Sequence, residues 1–189
     1  MVGKRHVLRV TDGLFMREVS SVAELHSGIK LREIDVDAMA AELYTRPQAF
    51  DVILTTNMFG DILSNLANAL AGSLGLAAAL NVGDHHAAAN AGHGSAPDIA
   101  GKGIANPSGI ILSSALLLDW LGERHQKNAY QRAARAIDKA IDAVLSDGKS
   151  STRDLGGILS TSAFAARVSE AIVTDASGDP KRKRITTSP

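Results

Sequence analysis

Hydrophobic periodicity breaks off between residues 72 and 107. Within that stretch the chain is rich in Gly, Ala, His, Asn and Asp and shows little regular spacing. A compact domain seldom carries so long a connection without structure, so the segment is expected to be functional or disordered. The flanks are more regular. Residues 6–10 read as a short strand, and Asp12 can cap a helix running to about Leu25. Residues 29–34 alternate as a strand, residues 35–44 read as a helix stopped before Pro47, and residues 51–54 as a short buried strand. Residues 57–71 read as a helix ended near Gly72. Strands alternating with helices predict an α/β protein. Beyond residue 107, helices are expected over 108–121, 126–146 and 161–173, with 148–157 connecting the last two. Ile137, Ile141, Val144 and Leu145 carry the helical spacing in the second of these. No internal repeat is evident.

Composition narrows the functional classes. The 189 residues are 45% hydrophobic and 21% charged, with zero formal net charge, which suits a globular chain with a buried core. That balance argues against general affinity for nucleic acid or anionic membrane. Zero cysteines exclude disulfides and thiolate chemistry, and suit a cytoplasmic location. No apolar run is long enough to span a bilayer, and the first residues lack a secretory apolar core. Residues 174–189 form a polar tail containing Lys181-Arg182-Lys183-Arg184. Such a cluster fits nucleic-acid binding or an import signal, or a solvated, disordered end. The last is favoured because the rest of the chain is not basic.

Two stretches carry chemistry. On the helix over 57–71, Asp61 and Asn65 are four residues apart and share a face. Oxygen ligands at that spacing can hold Mg²⁺ or Mn²⁺, and Asp37 could add a carboxylate. Equally, an aspartate in a helix's first turn is favoured by the helix dipole without any metal. The second stretch is HGSAPDIAGKGIANP, residues 93–107. Glycines let backbone approach a ligand and offer N–H groups to phosphate oxygens. A carboxylate such as Asp98 can accept both ribose hydroxyls and repels a 2′-phosphate, favouring NAD over NADP. Against this, Asn106-Pro107 is what a helix start requires, and His93 can be a hydrogen-bonded loop residue. No G-x-G-x-x-G follows a strand, so this is not a Rossmann fingerprint. His85 and His86, adjacent in a loop, are taken as surface residues.

Read together, NMFGDILS (residues 57–64), HGSAPDIAGKGIANP (93–107) and TRDLGGILST (152–161) resemble, in order, motifs of the isocitrate, isopropylmalate and tartrate dehydrogenases. GKRHVLRVTDGLF (3–15) resembles the lysine-bearing segment of that family. The resemblance runs over about residues 4–172. It implies a portion of a two-domain, doubly wound α/β fold, the family's N-terminal half being absent from the sequence. Residues 1–72 would belong to the dimer-forming, substrate domain and 73–173 to the C-terminal part of the nucleotide-binding domain. The implied activity is NAD-dependent, Mg²⁺- or Mn²⁺-assisted oxidative decarboxylation of a hydroxy acid, such as 3-isopropylmalate or tartrate. Lys4 aligns with a catalytic lysine that moves protons, and Asp37 with a metal-binding aspartate lent across a dimer. Asp61 aligns with the principal metal ligand and Asn65 with a second. His93 and Asn106 align with adenine-side contacts, Asp98 with the ribose-binding aspartate, and Gly94, Ser95 and Ala96 with further cofactor-binding positions.

Departures accompany the resemblance. Asn65 replaces an aspartate, His6 an asparagine near the nicotinamide, and Asn90-Ala91 a Glu-Pro pair. The arginines that clamp substrate carboxylates and the catalytic tyrosine belong to the half not represented. Three roles are therefore expected in competition: part of an active dehydrogenase, a non-catalytic partner of a full-length homologue, or a degenerate remnant. The chain alone is expected not to turn over. A homodimer or a complex with a homologue is the expected assembly.

Overall fold

Short apolar stretches and amphipathic helices give this chain two separate cores rather than one. A computed structural model describes residues 1–177. They divide into two compact units, Met1–Ala71 and one beginning at Gly72. The basic cluster and the rest of residues 178–189 lie outside the described residues.

In the first unit, strand β1 (Val2–Gly3) pairs in parallel with β2 (Ile34–Asp35), and Val2 also bridges to Thr55. Around them lie helices α1 (Thr11–Ala23), α2 (Val36–Thr45) and α3 (Asn57–Leu70). Val2, Ile34, Met39, Leu43 and Leu63 form the buried core, with Phe50, Ile53 and Leu66 packed against it. The α/β class is as expected, but the strands are not where alternation placed them. Residues 6–10 form turns, because Lys4 O accepts from Val7 N and Leu8 N and curls the chain. Only the end of the 29–34 stretch is strand. Residues 51–54 are not a buried strand: Val52 is 83% exposed, and only Leu54 O, accepting from Val2 N at 2.8 Å, joins the ladder. Asp12 lies inside α1, not at its cap. Its buried carboxylate accepts from Lys4 N at 2.6 Å instead.

The second unit begins with a turn of 3₁₀-helix, Leu74–Leu76. Then comes a hairpin that periodicity does not reveal. Strands β3 (Ala78–Val82) and β4 (Ala87–Ala91) pair antiparallel, Val82 opposite Ala87. They lie on α4 (Ser108–Arg124), which packs on α5 (Asn128–Ser146), which packs on α6 (Thr161–Ser177). Alanine strands permit close approach: a Cβ on Gly109 of α4 would stand 2.6 Å from Ala77 O. Ala140, Ile141, Val144, Phe164 and Val168 form this unit's core. α6 continues past residue 173, with Thr174 Oγ1 donating to Glu170 O, so residues 174–177 are helix rather than part of the expected disordered tail. Among the described residues no helix is long and apolar enough to cross a membrane.

Phe164 has no exposed surface and sits where α5 and α6 meet. Phe164→Ala should remove about 3–5 kcal/mol from the second unit, by lost transfer energy and an unfilled cavity. Denaturant unfolding monitored on α5 and α6 checks this.

Candidate functional site

The expected site residues fall into two groups, one in each unit. In the first, Lys4 follows β1 and is held at both ends. Its backbone N–H donates to Asp12, and its ammonium donates to Asp37 at the start of α2 and to Asp35 Oδ2 at 3.3 Å. His6 Nδ1 lies 3.2 Å from the same Asp35 oxygen. The parallel pairing of β1 with β2 sets Gly3 against Asp35, which brings the next residue, Lys4, to the N-terminus of α2. Sequence reasoning treats Lys4 and Asp37 singly, and the structure joins them. It adds Asp35, which the sequence marks only as a helix start.

This pairing has electrostatic consequences. The hydrogen bond to Lys4 holds the Asp37 carboxyl below its usual range, and the bond to Asp37 raises the Lys4 pKa. A depressed carboxylate contributes stability above its unfolded pKa and loses it as pH falls through the folded value. A raised lysine contributes below its unfolded pKa and loses it as pH climbs through the folded value. The pair is therefore intact across the neutral range. Asp37 faces solvent and Lys4 is half-buried, so solvent screens the pair from the Asp37 side.

Asp61 and Asn65 project from one face of α3, both exposed, and neither side chain has a partner among the described residues. Asp61 is the fifth residue of α3, so it is not in the first turn and the dipole explanation weakens. No three His, Asp or Glu side chains converge as a metal group among the described residues. One carboxylate and one amide oxygen fit a hard cation that keeps several waters and takes its remaining ligands from substrate or another chain.

The second group is the segment from His93. It is pinned at both ends. Gly92 N donates to Ala77 O at 2.8 Å. Beyond it, Thr161 N donates to Gly103 O at 2.9 Å and Thr161 Oγ1 to Ala105 O at 2.6 Å. Between these anchors residues 93–98 are exposed. His93 Nδ1 lies 2.9 Å from Gly94 O, and Asp98, in the turn Pro97–Ile99, has no partner among the described residues. Ala96 is left-handed (φ 43°), a strained state for a residue with a Cβ. A Cβ on Gly94, Gly101 or Gly103 would meet nothing within 4 Å, so backbone there is open to an incoming group. Ser95 shares this open stretch. These features fit a cradle for a phosphate- and hydroxyl-bearing ligand.

Asn106 behaves differently. It is buried. Its Oδ1 accepts from Ser108 N and its Nδ2 donates to Asp154 Oδ2, both at 2.9 Å. The side chain therefore works as the start of α4, leaving its backbone for any ligand contact. Sequence reasoning missed Asp154, which sits in the motif of residues 152–161.

Comparison with known proteins agrees with the motifs. The isocitrate/isopropylmalate dehydrogenase family model matches residues 1–172, and the chain belongs to that family. Isocitrate/homoisocitrate dehydrogenase of Thermus thermophilus is 50% identical over 169 residues, covering 89% of this chain and 48% of that protein. The 3-isopropylmalate/3-methylmalate dehydrogenase of Methanocaldococcus jannaschii is 46% identical over the same shares. Isocitrate dehydrogenase from Methylococcus capsulatus superposes with a TM-score of 0.85 at 41% identity, over 90% of this chain and 49% of that one. The chain thus spans about half the length of the relatives it matches.

Lys4→Met should raise the Asp37 pKa toward the ordinary aspartate range, the backbone hydrogen bonds to its carboxylate keeping part of the depression. An NMR carboxyl titration reads this, and an unmoved midpoint would mean that the two side chains do not pair in solution.

Proposed function

We propose that this chain carries the metal-side and adenosine-side parts of an NAD-dependent decarboxylating dehydrogenase acting on a hydroxy acid with a neighbouring carboxylate. The relatives act, by their names, on isocitrate, homoisocitrate and isopropylmalate, and these support the substrate class. The observation that carries the reading is the segment from His93 to Lys102, anchored at both ends, with the Asp98 carboxylate exposed and unpartnered.

In this reading Asp98 accepts the ribose hydroxyls, and its charge disfavours a 2′-phosphate. His93, Gly94, Ser95 and Ala96 flank the adenosine, and Asn106 contributes backbone. Asp61 and Asn65 hold Mg²⁺ or Mn²⁺, while Asp37 offers a carboxylate to a second copy or to a full-length homologue. Lys4 Nζ, steadied by Asp35, moves a proton. When bound, NAD accepts hydride from the hydroxyl-bearing carbon, and the cation stabilises negative charge on substrate oxygens as CO₂ leaves.

Asn65 favours a second reading. An amide removes one negative charge from the cation site and weakens it, as suits a partner subunit that assembles with an active homologue.

The chain alone should produce no NADH from isocitrate or 3-isopropylmalate with Mn²⁺. Steady growth of the NADH absorbance would overturn that expectation. Asp98→Lys should weaken NAD⁺ binding by about tenfold or more, the scale of losing a charge-assisted hydrogen-bond pair. Unchanged affinity by calorimetry would sink the ribose assignment.

A further inference from the structure

The 93–107 segment is shaped at its far end by a residue outside it. Asp154, in the turn Arg153–Leu155, gathers three separate stretches of chain. Its Oδ2 accepts from Ser73 Oγ and, at 2.9 Å, from Asn106 Nδ2. Ser73 Oγ in turn accepts from Gly75 N at 2.9 Å. A Cβ on Gly75 would stand 2.6 Å from Asn106 Cβ and 3.0 Å from Asp154 Oδ2, so backbone closes directly over this junction. Asn106 Oδ1 is then oriented to accept from Ser108 N and start α4.

The chemistry of the junction is directional. A carboxylate has no proton to donate, so both Ser73 and Asn106 must present donors to it. That fixes the Asn106 amide with nitrogen toward Asp154 and oxygen toward α4. Burial alone would push the Asp154 carboxyl up. The hydrogen bonds, led by that from Ser73, outweigh burial and hold it below the usual carboxylate range. The charged form is thus the one that persists at neutral pH.

We infer that Asp154 is a positioning residue for nucleotide binding: it holds Asn106, and through it the outgoing end of the 93–107 segment, in the shape that receives the ligand. This rests on the proposed nucleotide reading, and Asp154 acts through Asn106. Its contribution is to keep the backbone of residues 103–106 fixed while the exposed part of the segment remains open.

Hydrogen exchange and calorimetric titration with NAD⁺, both on the 189-residue chain, test the inference. Asp154→Asn should raise exchange across residues 92–107 several-fold, leave α5 protected, and weaken NAD⁺ by about tenfold, the scale of one charge-assisted hydrogen bond. The exchanged pair Asp154→Asn with Asn106→Asp restores a donor opposite an acceptor and should return protection to the segment. A general packing defect would not be mended that way. Should Asp154→Asn lose cooperative unfolding, Ser73→Ala removes one donor and keeps the carboxylate, and should give a smaller change of the same kind. The inference is overturned if the segment is not loosened, if it loosens with NAD⁺ affinity unchanged, or if the exchanged pair fails to restore protection. Absence of NAD⁺ binding by the unsubstituted chain, with Asp154→Asn still loosening the segment, would instead remove the nucleotide reading and leave Asp154 as the organiser of this loop.

Discussion

A hairpin made largely of alanine has little side-chain bulk with which to hold itself to a helix. Here the hydroxyl of Ser113 does much of that work. It is fully buried in α4, accepts from Ala79 N of β3 at 3.1 Å, and lies 2.8 Å from Asn90 O of β4 and 2.7 Å from Gly109 O. One polar atom thus ties both strands to one helix turn. Such contact demands that backbones come close, which the missing side chain of Gly109 allows. The 93–107 segment leaves from the end of β4 and returns at the start of α4. Its two ends are therefore as well fixed as the Ser113 joint between those elements.

The same joint explains why this region is opaque to periodicity. The strands 78–82 and 87–91 have no alternation of large apolar and polar residues, because small size and backbone pairing, not side-chain burial, put them in place. Helices α3 to α6 were legible because each lays apolar residues at helical spacing over a core. β1 was not, since two residues give no pattern, and its pairing with β2 spans some thirty positions. Of the candidate site, the residue types and the order of motifs could be read directly. What could not be read was which side chains are already spoken for. Asn106 turns inward to Asp154, whereas Asp98 and Asp61 are open, and sequence gives no sign of that difference.

The first unit shows the converse case. Lys4 and Asp37 are distant in sequence, and the parallel pairing of β1 and β2 makes them neighbours. The fold thereby supplies each with a counter-charge inside one chain. Any cation recruited to Asp37 competes with an ammonium already there, and any proton leaving Lys4 leaves against two carboxylates. One ammonium between two carboxylates leaves a single net negative charge there until a partner or ligand displaces one member.

Anchoring at both ends has a thermodynamic meaning for the segment from Gly92 to Ala105. A free loop loses conformational entropy when it closes around a ligand, and that loss is subtracted from affinity. Here Ala77 and Thr161 have closed the loop before any ligand arrives. Most of the ordering cost falls on folding and little on binding. A chain built this way offers any ligand of the segment a ready-made receptor, at the expense of a loop that stabilises the empty protein very little.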